Sequence, residues 1–207
     1  MFISAIITAA GAGQRFGGQK QFKALGGKPL YQHSLEMFVS SKIINEIILV
    51  VPSQNRHAIS KDIKGSPYRV VKVISGGASR KYSVKYGVDA SSDDADLVVI
   101  HDAARPFATN EVLGSVINAC EKFDGAIAAI PAVDTLKYSN NGIVKKTLDR
   151  NCVWLAQTPQ AFKKIKLLDA YRKHDLLNSA ITDESSIMED MGYTISIVLG
   201  SQSNFKV

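Results

Sequence analysis

The segment Phe2-Ile3-Ser4-Ala5-Ile6-Ile7-Thr8, running directly into Ala9-Ala10-Gly11-Ala12-Gly13-Gln14-Arg15-Phe16-Gly17-Gly18-Gln19-Lys20-Gln21-Phe22, decides the fold. Its first part is a short β-branched run, nearly continuous in apolar residues, as in a strand buried on both faces. Its second part is built of small residues that let a backbone close on a ligand, with consecutive amides able to cradle phosphate oxygens. Arg15 and Lys20 place permanent positive charge on the same connection. No basic residue precedes the apolar run, so it reads as a first strand rather than a secretory signal, and the chain as cytoplasmic.

Outward from this segment the same kind of run recurs at Glu46–Val51, Arg69–Ile74, Asp96–His101, Ala126–Ile130 and Tyr193–Leu199. Helical spacing fills the gaps. Pro29–Ser40 sets Leu30, Leu35, Phe38 and Val39 on one side, and Thr109–Lys122 does so with Val112, Leu113, Val116, Ile117 and Cys120 behind Thr109 as N-cap. Thr182-Asp183 opens a further short helix that Gly192 ends as a C′ residue. Strand–helix alternation predicts an α/β domain, a Rossmann-like, mostly parallel sheet with helices on both faces. One stretch departs from it. Residues 132–157 carry the turn Ser139-Asn140-Asn141-Gly142 between Thr135–Tyr138 and Ile143–Leu148, with no helix to cover the hairpin. A lone hairpin is marginally stable, so it is expected to protrude as an arm onto a second subunit. The 207 residues are read as a single domain, 1–207, with this arm as a subdomain.

Composition excludes several classes. Cys120 and Cys152 show no C-x-x-C spacing, against a disulfide scaffold or a structural zinc site. No apolar run reaches the roughly 18 residues of a membrane span. The net charge of +6 favours anionic partners, but the clusters Lys163-Lys164-Ile165-Lys166 and Arg172-Lys173-His174 suit a solvated helix face. No aromatic-basic platform for nucleic acid is present.

Ligands of open α/β sheets bind at the carboxyl ends of strands. After strand one, the dinucleotide fingerprint fails because Phe16 stands where its third glycine belongs, and a Walker A loop fails because Lys20 lies between Gln19 and Gln21. Ser75-Gly76-Gly77-Ala78-Ser79-Arg80, with Ser83 a turn later, suits close approach to a flat base or ribose, or else is a plain strand-to-helix turn. Leu97-Val98-Val99-Ile100-His101-Asp102-Ala103-Ala104-Arg105-Pro106 ends a buried strand in a carboxylate placed to hold Mg²⁺, which binds through one or two carboxylates plus substrate phosphates. Arg105 could grip a second phosphate, or pair structurally with Asp102. His101 reads as a satisfied strand-end histidine rather than a base.

Together these loops resemble the cytidylyltransferase family of the methylerythritol phosphate route to isoprenoids. The resemblance continues through Val133-Asp134-Thr135, Asp149-Arg150-Asn151, Trp154-x-x-Gln157-Thr158-Pro159-Gln160, Ile181-Thr182-Asp183-Glu184 and Asn204-Phe205-Lys206-Val207. It implies a nucleotide-diphospho-sugar transferase type of fold and a homodimer joined through the 132–157 β-hairpin arm. It also implies Mg²⁺-dependent condensation of CTP with 2-C-methyl-D-erythritol 4-phosphate, releasing pyrophosphate. By position, Ala9, Ala10, Gly11, Ala12, Gly13, Gly77 and Ser83 would hold the nucleotide. Arg15, Lys20 and Lys206 would be catalytic, and Asp102 the metal ligand. Arg105 and Thr182 would meet the acceptor phosphate, as would Asp134, Thr135 and Arg150 from the partner's arm. The sequence departs from the family at Ala78, where an acidic residue is often present, and at Ser203, where some relatives offer one, so a second metal carboxylate is not expected from Ser203. A last helix usual in the family is not expected here, because the sequence stops at Lys206-Val207. Two other readings stay open: a ribitol 5-phosphate cytidylyltransferase and a nucleotide-binding module without catalysis.

Overall fold

The computed structural model describes residues 1–11, 13, 17–66, 71–173 and 181–207. In chain order the strands are β1 (Ile3–Thr8), β2 (Ala24–Leu25), β3 (Lys28–Pro29), β4 (Glu46–Val51), β5 (Val71–Ser75), β6 (Leu97–Asp102), β7 (Gly125–Pro131), β8 (Lys137–Asn140), β9 (Ile143–Thr147), β10 (Trp154–Lys163) and β11 (Ile195–Leu199). The helices are α1 (Leu30–Ser40), α2 (Arg56–Lys64), α3 (Arg80–Asp89), α4 (Asn110–Ala119), α5 (Lys164–Lys173) and α6 (Glu184–Asp190). The site candidates Ala12 and Arg15, and the start of the strand expected at Arg69, lie outside the described residues.

Seven strands form one sheet in the order β11-β7-β10-β6-β1-β4-β5. All its pairings are parallel except those of β10, which runs antiparallel to both β6 and β7. The apolar runs alternate across the sheet as the pleat requires. Ile3, Ala5, Ile7, Ile47, Leu49 and Val99 join one core with Leu35 and Phe38 of α1, Ile59 of α2 and Leu113 and Val116 of α4. Ile6, Ile48, Val50, Val98 and Ile100 join the other with Val84 of α3, Leu167 of α5 and Ile187 of α6. Each fully buried side chain of this size contributes about 1.5–3 kcal/mol. Thr109 caps α4 as expected, accepting from the Val112 amide, and Gly192 ends α6 with φ +78°.

β10 has no counterpart among the expected strands. It takes in Trp154–Gln157, the last part of the 132–157 segment, and inserts between β7 and β6. The arm proper is the separate β8–β9 ladder, exposed along its whole length.

The order β5-β4-β1-β6 puts the topological switch at β1, where ligands of open α/β sheets bind. In register, Thr8 lies between Val50 and Asp102, so the carboxyl ends of β1, β4 and β6 open on one edge.

Candidate functional site

At that edge the chain leaves β1 through Ala9, whose amide donates to Val50 O at 2.7 Å. Buried Gln21 closes the glycine loop from below, its Nε2 donating to Ala9 O at 2.8 Å and Gly11 O at 3.0 Å. Gly13, at φ +66°, packs so tightly that an added Cβ would lie 1.6 Å from Gly18 O, so only glycine fits there. Lys20 begins the short 3₁₀ turn Lys20–Phe22 and donates through Nζ to Val207 O.

The second loop packs against the first. A Cβ on Gly76 would come within 2.4 Å of Ala10 Cβ and 2.8 Å of Ser83 Oγ. The Gly77 amide donates to Ser83 Oγ at 3.1 Å, and that hydroxyl donates to Ser79 O at 2.9 Å. Buried Ser83 thus holds the glycine pair in place.

Asp102 ends β6 at the centre of the site. Its Oδ1 accepts from Arg80 Nε at 3.2 Å and Thr8 Oγ1 at 3.3 Å, and its Oδ2 from Lys206 Nζ at 2.8 Å. Burial alone would raise its pKa, but Arg80 and Lys206 outweigh burial and hold the carboxyl well below the usual carboxylate range. Among the described residues, no three His, Cys, Asp or Glu side chains gather as a metal cage. One ionised carboxylate is the donor set that suits Mg²⁺ held mainly by a ligand's phosphates, so Asp102 fits that role.

His101 is fully buried, with Nδ1 on Thr158 Oγ1 at 3.1 Å and Nε2 on Arg105 O at 3.1 Å. Burial lowers its pKa to about 4, and both ring nitrogens are occupied, as a structural histidine requires. Arg105 is committed to main-chain carbonyls, with Nη1 on Asn204 O at 2.7 Å and Nη2 on Ala156 O at 3.3 Å, while Nε stays 3.9 Å from Asp102 Oδ2. It ties β10 to the Asn204–Val207 segment that carries Lys206. Asn204 Nδ2 donates to Thr158 O at 2.8 Å, and the Val207 amide donates to Ala104 O at 2.9 Å.

The structure therefore brings Ala9, Ala10, Gly77, Ser83, Asp102, Arg105 and Lys206 to one edge, with Lys20 reaching it through Val207. Thr182 is exposed just ahead of the α6 cap Asp183. Asp134, Thr135 and Arg150 are exposed on the arm, and Arg150 Nη1 donates to Val133 O at 2.7 Å.

Two residues gain a place that sequence reasoning did not assign. Arg80 lies between Asp102 and Glu184, giving Nη1 to both Glu184 oxygens at 2.9 and 3.2 Å. Glu184 is fully buried. Burial raises its pKa in spite of Arg80, whereas Arg80, flanked by two carboxylates, remains a cation. Both residues stand inside the motifs Gly-Gly-x-x-Arg and Thr-Asp-Glu, the only signal the sequence offers for them.

Comparison with known proteins gives the family. The family model described as 2-C-methyl-D-erythritol 4-phosphate cytidylyltransferase (IspD) matches residues 3–207. The chain is 37% identical to the 2-C-methyl-D-erythritol 4-phosphate cytidylyltransferase of Syntrophus aciditrophicus (strain SB), covering 99% of this chain and 90% of the relative. It is also 37% identical to that of Halalkalibacterium halodurans, covering 100% and 92%. Among solved structures, the 4-diphosphocytidyl-2C-methyl-D-erythritol synthase of Anaerococcus prevotii DSM 20548 superposes with a TM-score of 0.87 at 33% identity, covering 100% of this chain and 90% of that one. The Francisella tularensis enzyme superposes with a TM-score of 0.84 at 27% identity, covering 100% and 94%. With a family match over nearly its whole length and relatives this similar, the chain belongs to the 2-C-methyl-D-erythritol 4-phosphate cytidylyltransferase family.

Proposed function

We propose that this protein condenses CTP with 2-C-methyl-D-erythritol 4-phosphate to give 4-diphosphocytidyl-2-C-methyl-D-erythritol and pyrophosphate, as an enzyme of isoprenoid precursor synthesis. The observation that carries the reading is the placement of Asp102, Arg80 and Lys206 at the carboxyl edge of β6, beside two backbone-lined glycine loops.

The acceptor's phosphate oxygen attacks the α-phosphorus of CTP. A phosphoanhydride bond forms, the bond to the β-phosphate oxygen breaks, and pyrophosphate leaves with that electron pair. The acceptor phosphate is ionised at neutral pH, with a second pKa of about 6, so no protein base is needed. This agrees with a His101 held neutral and fully bonded. The obstacle is repulsion between two polyanions. Lys20, Arg15 and Lys206 offset it and stabilise charge on the five-coordinate phosphorus. Asp102 would hold Mg²⁺ together with the nucleotide's phosphates, where the ion supplies charge neutralisation. The two loops would hold the nucleotide along the main chain of Ala9, Ala10, Gly11, Ala12, Gly13 and Gly77, with Gln21 and Ser83 fixing the loops from behind.

The acceptor phosphate would meet Thr182 of its own subunit, while Arg105, spent on Asn204 O and Ala156 O, lends its charge from behind. Asp134, Thr135 and Arg150 reach it from a second copy whose arm crosses the dimer. The exposed apolar residues of the arm, Val133, Tyr138, Ile143, Val144 and Leu155, support that homodimer. Among the described residues, no helix is long and apolar enough to cross a membrane. Both substrates are charged metabolites that do not cross membranes unaided, which supports a reaction in the compartment that makes them, read as the cytoplasm.

The test is pyrophosphate release with Mg²⁺, pairing CTP or UTP with methylerythritol phosphate or ribitol 5-phosphate. Release confined to CTP with methylerythritol phosphate is the expected result. Preference for ribitol phosphate would move the assignment to that acceptor, and silence of a folded protein with every pair would overturn the catalytic reading.

A further inference from the structure

The buried pair behind Asp102 has a geometry that neither packing nor the reaction itself requires. Glu184 is 0% exposed and opens α6 immediately after the cap Asp183, with its carboxylate facing Arg80. Replacing a buried ion pair by apolar side chains of similar volume is often neutral or stabilising, so packing alone gives no reason to keep a carboxylate here. What Glu184 does fix is the orientation of Arg80. A guanidinium beside a lone carboxylate tends to fork onto both oxygens. Here Nη1 is held on Glu184 at 2.9 and 3.2 Å, and only Nε faces Asp102, on Oδ1 at 3.2 Å. Thr8 Oγ1 shares that oxygen at 3.3 Å. Oδ2 takes its hydrogen bond from Lys206 at 2.8 Å, a side chain 40% exposed, while Arg105 Nε stands off at 3.9 Å, its guanidinium held by main-chain carbonyls.

We propose that Glu184 is a positioning residue: it keeps Arg80 on one oxygen of Asp102 and so reserves the other for an exchangeable cation, the Lys206 ammonium in this structure and a divalent ion in the loaded enzyme. Without Glu184, Arg80 rotates to fork onto Asp102 and competes for Oδ2. The inference rests on the reading of Asp102 as the carboxylate that holds Mg²⁺. It also links α6, which begins beside Thr182, to the nucleotide side of the site through a single guanidinium.

The test is Mn²⁺ binding with CTP present and no acceptor, so that nothing turns over, followed by the water-proton relaxation enhancement that separates protein-bound Mn²⁺ from the Mn²⁺–CTP complex in solution. Glu184→Gln should weaken Mn²⁺ affinity about 10–100-fold, the range for a lost outer-shell partner, with CTP affinity in the absence of metal unchanged. Glu184→Met, an apolar side chain of similar length, should do the same and guards against a variant that fails to fold. The double variant Glu184→Met with Arg80→Gln removes the competitor, so it should bind Mn²⁺ more tightly than Glu184→Met alone. A merely structural role predicts the reverse order. Asp102→Asn separates the two layers. If Asp102→Asn loses Mn²⁺ while the folded Glu184 variants keep it, the positioning role is overturned and the metal reading stands. If Asp102→Asn binds Mn²⁺ as well as the native protein, the metal reading itself falls.

Discussion

The Asp102 cluster and the β8–β9 arm are built in opposite ways. Around Asp102, each charge meets a partner from another part of the same chain: Arg80 from α3, Lys206 from the segment after β11, and Glu184 from α6. On the arm, Tyr138, Ile143 and Val144 are 54–62% exposed, and a two-stranded ladder this exposed has marginal stability. One region is finished by intrachain contacts and the other is not. Under the proposed function, the contrast separates the nucleotide side, which a single chain would position, from the acceptor side, which the proposed second copy would complete.

The largest effect on turnover is expected where the finished region meets the chemistry. Lys20→Ala should lower turnover about 10²–10³-fold, the usual cost of removing one group that stabilises charge in the transition state. Circular dichroism should show the fold intact, because the Nζ contact with Val207 O belongs to the site rather than the core. Unchanged turnover in a folded Lys20→Ala protein would remove Lys20 from the mechanism. Next comes the unfinished region. Ile143→Asp with Val144→Asp should weaken self-association about 10²–10⁴-fold, from the loss of roughly 1.5–3 kcal/mol of burial at each side chain. Sedimentation measures the association, and chemical denaturation should report a monomer of unaltered stability. A double variant that stays dimeric would place the interface elsewhere.

The same contrast explains what could be read from the sequence. β1, β4 and β6 were legible because their residues are continuously apolar, and Asp102 was legible because it ends such a run. β10 was not, since Gln157, Thr158 and Gln160 break the pattern. Each is buried by a bond to a distant element: Gln157 Nε2 to Ser201 O at 2.8 Å, Thr158 Oγ1 to the Asp102 amide at 3.0 Å, and Gln160 Nε2 to Asp183 Oδ2 at 2.9 Å. No local periodicity encodes a polar side chain satisfied from afar. α2 escaped notice because only Ile59 and Ile63 turn inward, too few to mark a face. Arg80 and Glu184 stood inside quoted motifs, yet 104 residues separate them, so their pairing appears only in three dimensions.

A smaller effect tests whether the arm completes the acceptor site. Arg150→Ala should raise KM for the sugar phosphate about tenfold, as expected for one charge-assisted hydrogen bond, and leave CTP binding unchanged. Lost CTP affinity instead would put Arg150 on the nucleotide side. Mixing Lys20→Ala and Arg150→Ala subunits sharpens the point. If arms cross between subunits, each heterodimer has one site with both residues intact, and about a quarter of native sites return when the subunits exchange freely. If each arm serves its own subunit, both sites of the heterodimer stay defective and nothing returns.

The smallest effect compares one thiol from each region. Cys120 is buried under α4, its Sγ on Val116 O at 3.3 Å and Ala161 O at 3.4 Å, and burial pushes its pKa up to about 11. Cys152 is exposed in the 3₁₀ turn Arg150–Cys152 at the base of the arm. The thiolate is the reactive form, so at pH 8 a disulfide reagent should modify Cys152 promptly. Cys120 should react only at the rate at which the core opens. Two thiols reacting together would mean that α4 lifts from β10 far more readily than its packing implies. The Cys152 rate then reports on the arm. A rate that falls as protein concentration rises, and that loses this dependence in the Ile143→Asp, Val144→Asp protein, is what a second copy covering the arm produces. A rate independent of concentration in both proteins leaves the base of the arm open to solvent, and the second copy must then dock away from Cys152.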